Sequence, residues 1–353
     1  MNADHLLAIV AVAQGALLAG LLILIVLNRW FRVRQRAQLH PRKLASDDAF
    51  RRWLAGEAGI APVLEGLDRL PIPVAIDQLV TWVVRASAPR WRELCQALER
   101  RLWARVVRTN AQSARWWKRL ECARFLSVAV TPNDVDRVRR LLADPHPAVH
   151  VAVVSALERL PDPELAVAAL ARVPQLGATV QAYYATTLTA VRPLVVNRVA
   201  DLLRTTTGAT LHGMAEFARR LRDPALREPF QALAMHADID VRAQAARALG
   251  ATPHPEATAT LARLAGDTAW PVRAQAIKSL GVAGDPATFP AVRSALRDPE
   301  WWVRLRAGLA LMRFGASGRN ALLEAEVGGH PGARDVARMV LGLSPAALIE
   351  YSQ

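Results

Sequence analysis

Cysteine, lysine and tyrosine are all scarce in this chain of 353 residues, and each scarcity closes off a class of chemistry. The only cysteines, Cys95 and Cys122, form neither a disulfide framework nor a metal-ligand spacing, and they fit a reducing compartment. Lysine stands only at 43, 118 and 278, so the net charge of +14 is almost wholly arginine. Such an arginine bias follows from a GC-rich coding sequence as readily as from function, so the charge by itself does not argue for nucleic acid. Also missing are a P-loop, a dinucleotide-binding glycine pattern, a nucleophile elbow and an H-E-x-x-H pair. His146 and His150 are four apart, but Pro147 places His146 ahead of any helix, which argues against a shared metal face. The reading therefore expects no catalytic residue, no cofactor and no metal.

What is present begins with an apolar run, LLAIVAVAQGALLAGLLILIVL, from Leu6 to Leu27. As a helix of 22 residues it would reach about 33 Å, enough for a hydrocarbon core of about 30 Å. The start MNADH has no basic residue and the run meets NRWFRVRQR directly, unlike a cleaved signal peptide. Arg29, Arg32, Arg34, Arg36, Arg42 and Lys43 follow the run and none precedes it. The positive-inside rule then puts the N-terminus outside and the rest in the cytoplasm, a single-pass topology in a bacterial inner membrane. Anionic lipid headgroups are a candidate partner for the stretch Arg29 to Lys43.

The second feature is a repeat. HADIDVRAQAARALG at 236–250 and DTAWPVRAQAIKSLG at 267–281 place Val241 and Val272 a period of 31 apart. The same step reaches Val303 in DPEWWVRLRAGLALMRFG and, backward from Leu211, Val180, Val149 and Lys118. RWWKRLECARFL around Lys118 repeats EWWVRLRAGLAL at Trp117/Trp302, Arg119/Arg304 and Leu120/Leu305. A fixed period over so many units predicts a solenoid. Each unit has room for two helices: PEATATLARLAG opens on Pro255, DTAWP turns, and VRAQAIKSLG closes on Gly281. Asp267 and Asp298, five residues before the valine, are placed to accept the free N–H groups of the next helix. Val272, Ala276 and Leu280 form the stripe that faces neighbouring helices.

The pattern D-x-x-x-x-V-R-x-x-A-x-x-x-L-G resembles the HEAT repeats, in particular the short bacterial phycobilisome-lyase type, over residues of about 110–343. The resemblance implies an all-α, right-handed α-solenoid of about seven helix pairs, here with a single N-terminal transmembrane helix. It also implies that aspartate and arginine form a hydrogen-bonded ladder between repeats. The residues that match are Asp267, Arg273, Asp298, Arg304, Arg242, Arg119 and Asp144. The middle units depart from it, with His150, Gln181 and His212 in the arginine slot and Gln175 and Thr206 in the aspartate slot. Either those units have drifted or their inner face has changed to suit a partner.

The resulting organisation is a short external start (1–5), the span (6–28), a basic segment (29–43), a helical cap (44–110), the solenoid (111–343) and a closing segment (344–353). Residues 85–119 hold ten basic residues with Trp91, Trp103, Trp116 and Trp117. At helical spacing such tryptophans read first as packing, and nucleic acid is an unlikely partner for a membrane-anchored chain. The functional expectation is a non-catalytic, membrane-tethered scaffold that docks a protein partner, itself membrane-associated, on the second helices. An accessory to an envelope or polysaccharide-synthesis enzyme is one role of that kind. Candidate partner-facing residues are His150, Tyr184, His212 and Glu216, beside Arg242, Arg273 and Arg304. The rival reading is an enzyme or nucleic-acid-binding protein on the same scaffold, like bilin lyases or HEAT-like DNA glycosylases. A convergent polar cluster on the inner face would distinguish it.

Overall fold

The computed structural model describes residues 21–22 and 39–352, and every regular element among them is an α or 3-10 helix. The expected span Leu6–Leu27 lies outside the described residues except for Leu21 and Leu22, which are helical and exposed. The expected basic segment is described only from residue 39 onward. Among the described residues no helix is long and apolar enough to cross a membrane.

The chain divides into two compact units after Arg137. The first contains a helix over 39–55, then Ala61–Asp68, Ile72–Val83, Ala88–Glu99, Leu102–Thr109 and Trp116–Ala129. The helices of the expected cap and the Arg119 helix thus share one unit. Proline stands in the first turn of three of these helices, where its missing N–H leaves nothing unpaired. Their apolar sides close around Phe50, which stacks on Trp82 with centroids 5.5 Å apart. Trp91 is buried in the same unit and donates its indole N–H to the carbonyl of Val128 at 2.6 Å. Arg108 and Asp134 are both buried and pair at 3.0 Å, while Asp134 also completes a capping box with Thr131.

The second unit is a stack of helix pairs. The clearest are Arg227–Leu233 with Ile239–Gly250, Pro255–Leu264 with Trp270–Ala283, Phe289–Ser294 with Trp301–Leu311, and Gly315–Val327 with Pro331–Leu341. The 31-residue period and the two-helix unit are therefore present in three dimensions. Val241, Val272 and Val303 are buried, as are Ala245, Ala276 and Ala307, so the predicted stripe faces the stack. Each fully buried valine or leucine contributes about 1.5–3 kcal/mol of transfer free energy.

Two boundaries differ from the sequence expectation. Helix Trp270–Ala283 begins two residues before Val272, because Pro271 fits its first turn. It also runs past Gly281 and ends at Gly284, whose φ of +65° is the left-handed conformation that glycine permits. Gly281 is instead a contact point, since a Cβ there would lie 2.5 Å from the Cβ of Ala310 on the next second helix. Gly250 meets Ser279 in the same way. Successive second helices thus nest against one another, and they contact each other far more than successive first helices do. The second helices form the inner, tighter layer of this unit.

Candidate functional site

The inner layer is held by an arginine–aspartate ladder. Arg242 donates from Nε and Nη2 to both oxygens of Asp267, at 2.8 and 2.9 Å. Arg273 does the same to Asp298, at 2.7 and 2.9 Å. The third nitrogen of each guanidinium reaches back to the carbonyls six and five residues earlier: His236 and Ala237 for Arg242, Asp267 and Thr268 for Arg273. One guanidinium therefore ties its own repeat's turn to the aspartate of the next. The planar fork makes this bidentate geometry, and lysine could not replace it. Each aspartate also accepts the N–H two residues on, Asp267 from Ala269 at 2.8 Å and Asp298 from Glu300 at 2.9 Å.

The electrostatics follow. The Arg242 hydrogen bond holds the Asp267 carboxyl below the usual carboxylate range. Burial pushes the Asp298 carboxyl upward, but the bonds from Arg273 and from the Glu300 N–H outweigh it and leave it lowered. Both aspartates are charged and fully used. Each accepts three hydrogen bonds, all from the ladder and the following turn.

Arg304 begins the same arrangement and does not finish it. Its Nη1 reaches the carbonyls of Asp298 and Pro299 at 2.7 and 2.8 Å, yet its Nε is buried without a hydrogen-bond partner. The carboxylate is missing because the next helix, Pro331–Leu341, has Gly328 where Asp298 precedes Trp301–Leu311. Arg119, in the first unit, makes the two carbonyl bonds to Ser113 and Ala114, at 2.9 and 3.1 Å. Asp144, in the second unit, is buried and accepts the N–H of His146 at 2.9 Å.

The candidate partner-facing residues separate into two groups. His150 and Tyr184 are buried, which removes both from the surface. Their side chains meet at 2.9 Å, Nδ1 to the phenol oxygen, across adjacent repeats. The reason is local: a neutral pair with one donor between them substitutes for the ionic rung inside an apolar surround. Burial, then Arg172, pushes the His150 imidazole below its usual pKa, and burial raises that of Tyr184. Tyr183, next in sequence, faces outward.

His212 and Glu216 are half-buried and remain on the face of helix Gly208–Leu221. His212 lies 3.4 Å from Asp238, a weaker rung in the arginine slot, and its Nδ1 faces the carbonyl of Gly208 at 2.9 Å. Glu216 accepts from Arg219 and from Arg220, each at 2.7 Å. Burial raises its carboxyl, and the two arginines more than reverse that. Gln181, in the same slot, is buried and donates to the carbonyl of Val173 at 3.0 Å.

His212, Asp238 and Asp240 bring one ligand atom each within 4.8 Å of one another. The two aspartates are exposed and His212 is half-buried, and Asp238 already accepts the Asp240 N–H at 2.8 Å as the N-cap of helix Ile239–Gly250. This is a histidine beside an N-capping aspartate. Two rungs went unread in the sequence: Arg108 with Asp134, and Arg192 with Asp223 at 2.8 Å. Arg192 and Asp223 stand 31 apart, not 25 as in the ladder, and lie at the starts of first helices, so the ladder pattern does not contain them. The tryptophans of 85–119 divide as well: Trp91 is buried and Trp103 bonds Asp68 at 3.0 Å, whereas Trp116 and Trp117 are exposed.

HEAT repeats match the chain in three overlapping windows, residues 194–273, 226–312 and 262–342. These windows hold the Arg242–Asp267 and Arg273–Asp298 rungs and stop short of the His150–Tyr184 pair. No curated protein matches the chain. Among solved structures, an engineered protein is similar over 85% of this chain and 94% of its own, at 17% identity and a TM-score of 0.38. A second engineered protein is similar over 62% and 98%, at 17% identity and a TM-score of 0.34. Human deoxyhypusine hydroxylase, solved in complex with glycerol, is similar over 78% and 98%, at 16% identity and a TM-score of 0.31.

Proposed function

We propose that this protein is a non-catalytic scaffold, tethered to a membrane by Leu6–Leu27, whose right-handed stack of HEAT repeats docks a protein partner on the second helices. The observation that carries the reading is the ladder itself. Arg242, Arg273, Asp267 and Asp298 spend their polar groups on one another and on the turns, which fixes the inner layer as a rigid platform. A platform of that kind presents surface, and HEAT repeats commonly mediate contacts between proteins. The apolar run and the arginines after it support an N-out, single-pass topology with the repeats in the cytoplasm. Tethering confines scaffold and partner to one membrane surface and raises their effective concentration.

The test is recovery of proteins crosslinked to the intact chain in membranes, compared with the chain lacking residues 1–43. A stoichiometric membrane protein, reduced or lost without those residues, is the expected result. Recovery of no protein partner, with nucleic acid or a small molecule bound instead, would overturn the reading.

A further inference from the structure

Three successive second helices carry charge of one sign on their later turns. Beyond their first turns, helices Ile239–Gly250, Trp270–Ala283 and Trp301–Leu311 bear Arg247, Lys278 and Arg306 and no acidic residue. Arg313 follows just past the third helix. Arg247 and Lys278 stand one 31-residue period apart, on the same turn of successive repeats. Arg247 and Arg313 are exposed, and Lys278 and Arg306 are half-buried.

These cations sit within electrostatic range of one another. Burial lowers the Lys278 ammonium from its ordinary pKa, and Arg306, Arg247 and Arg313 lower it further. Burial and Arg247 act on Arg306 in the same direction. Like charges gathered on a rigid layer repel one another, and an anion relieves that repulsion. The chain supplies a small precedent. Arg306 donates to the carbonyl of Tyr351 at 2.9 Å, in the last turn of helix Pro345–Ser352. The carboxyl end of a helix carries partial negative charge, so the cluster already draws in a negative pole of peptide origin.

We propose that Arg247, Lys278, Arg306 and Arg313 form the receptor for an acidic polypeptide segment of the docked partner. The proposal rests on the scaffold reading above and names the chemistry of its partner. Adjacent helices lie about 8–10 Å apart, so three rungs cover about 20 Å, the reach of about six extended residues. Acidic side chains at every second or third position of such a segment meet the successive cations. Single-stranded nucleic acid is disfavoured because it needs aromatic platforms beside the charges. Of the exposed tryptophans only Trp302 stands one turn from a receptor cation, Arg306; Trp270 lies two turns from Lys278, and helix Ile239–Gly250 has no aromatic residue, so the cations lack a continuous stacking platform. A flat bilayer is disfavoured because two of the four cations are half-buried in the inner layer.

The experiment titrates the full chain, in mild detergent, with a fluorescent oligoglutamate peptide and reads anisotropy. Arg247→Gln/Lys278→Gln is compared with Arg105→Gln/Arg319→Gln, which removes the same charge from exposed sites elsewhere. Saturable binding, weakened about tenfold or more by the first pair and about twofold or less by the second, is expected. Unchanged thermal melts of both variants establish that the folds are intact. Equal weakening by both pairs, or by neither, overturns the receptor. So does tighter binding of oligothymidylate or of phosphatidylglycerol vesicles that the first pair abolishes. The two readings fail separately. A crosslinked partner recovered equally with Arg247→Gln/Lys278→Gln overturns the receptor and leaves the scaffold. Site-specific oligoglutamate binding with no recoverable partner overturns the scaffold and leaves the receptor.

Discussion

The repeats around Arg242 and Arg273 and those around His150 and Gln181 solve one problem with different chemistry. Each must tie the turn of one helix pair to the next pair. In the later repeats a guanidinium spans the joint and ends on a carboxylate, with Arg273 and Asp298 only 13% and 10% exposed. In the earlier ones the joint is a neutral pair, His150 with Tyr184, or a single amide, Gln181, which donates to the carbonyl of Gly213 in the next repeat. An ionic rung carries more hydrogen bonds and a fixed geometry, so it sets the spacing of the layer more strictly. A neutral rung avoids the cost of burying charge, and it introduces an imidazole whose pKa burial lowers.

Arg273→Ala should have the largest effect on that contrast. It removes two charge-assisted bonds and two carbonyl bonds and strands Asp298, at a cost of about 3 kcal/mol. Hydrogen exchange of amides in helices Trp270–Ala283 and Trp301–Leu311 should accelerate, while exchange in the first unit stays as it was. Equal protection of those helices in the variant would show that packing alone holds the layer. Tyr184→Phe comes next, at about 1–2 kcal/mol, because it leaves the His150 nitrogen buried without its partner. Its exchange signature belongs in helices Pro147–Val153 and Ala178–Thr187, and faster exchange in the later repeats instead would refute the assignment.

Acid should separate the two regions without mutation. The His150 pKa is lowered in the fold, so the unfolded chain binds the extra proton more readily. Its stabilising contribution is whole above the unfolded value, about 6.5, and declines as pH falls below it. Asp267 and Asp298 are lowered carboxylates, whose contribution is present above about 4 and is lost as pH falls through their folded values. Between pH 7 and 5, exchange should rise around His150 while the ladder repeats hold, and below about 4 the ladder should loosen too. His150→Gln should remove the first step alone. The smallest effect should come from Gly328→Asp, a gain of under about 1 kcal/mol. Gly328 has φ −71° and ψ 166°, near the −57° and 142° of Asp298, so an aspartate there suits the backbone and faces the unfinished rung at Arg304. A melting temperature that falls would mean that its Cβ, 3.2 Å from the Glu324 carbonyl, crowds the turn.

The period and the helix pairs could be read from residue order, and the Arg242, Arg273, Asp267 and Asp298 roles from the resemblance to HEAT repeats. Each is a local pattern repeated at fixed spacing, and repetition multiplies a weak signal. His150, in the arginine slot, and Tyr184, four residues after Val180, were expected on the partner-facing surface, and both are buried. A neutral side chain there has no charge to keep it near water and folds inward. Gly281 was misplaced for a related reason: nothing in one repeat reveals how near the next will come.

By itself the sequence determined the helical class and the 31-residue unit, since hydrophobic periodicity and capping act within a few turns. Only the tertiary structure decided which joints close. The Arg304 rung is left open, the His150 rung is buried, and Arg247, Lys278 and Arg306 gather on one face. Those outcomes depend on distances between residues of different repeats, which stacking sets and residue order does not.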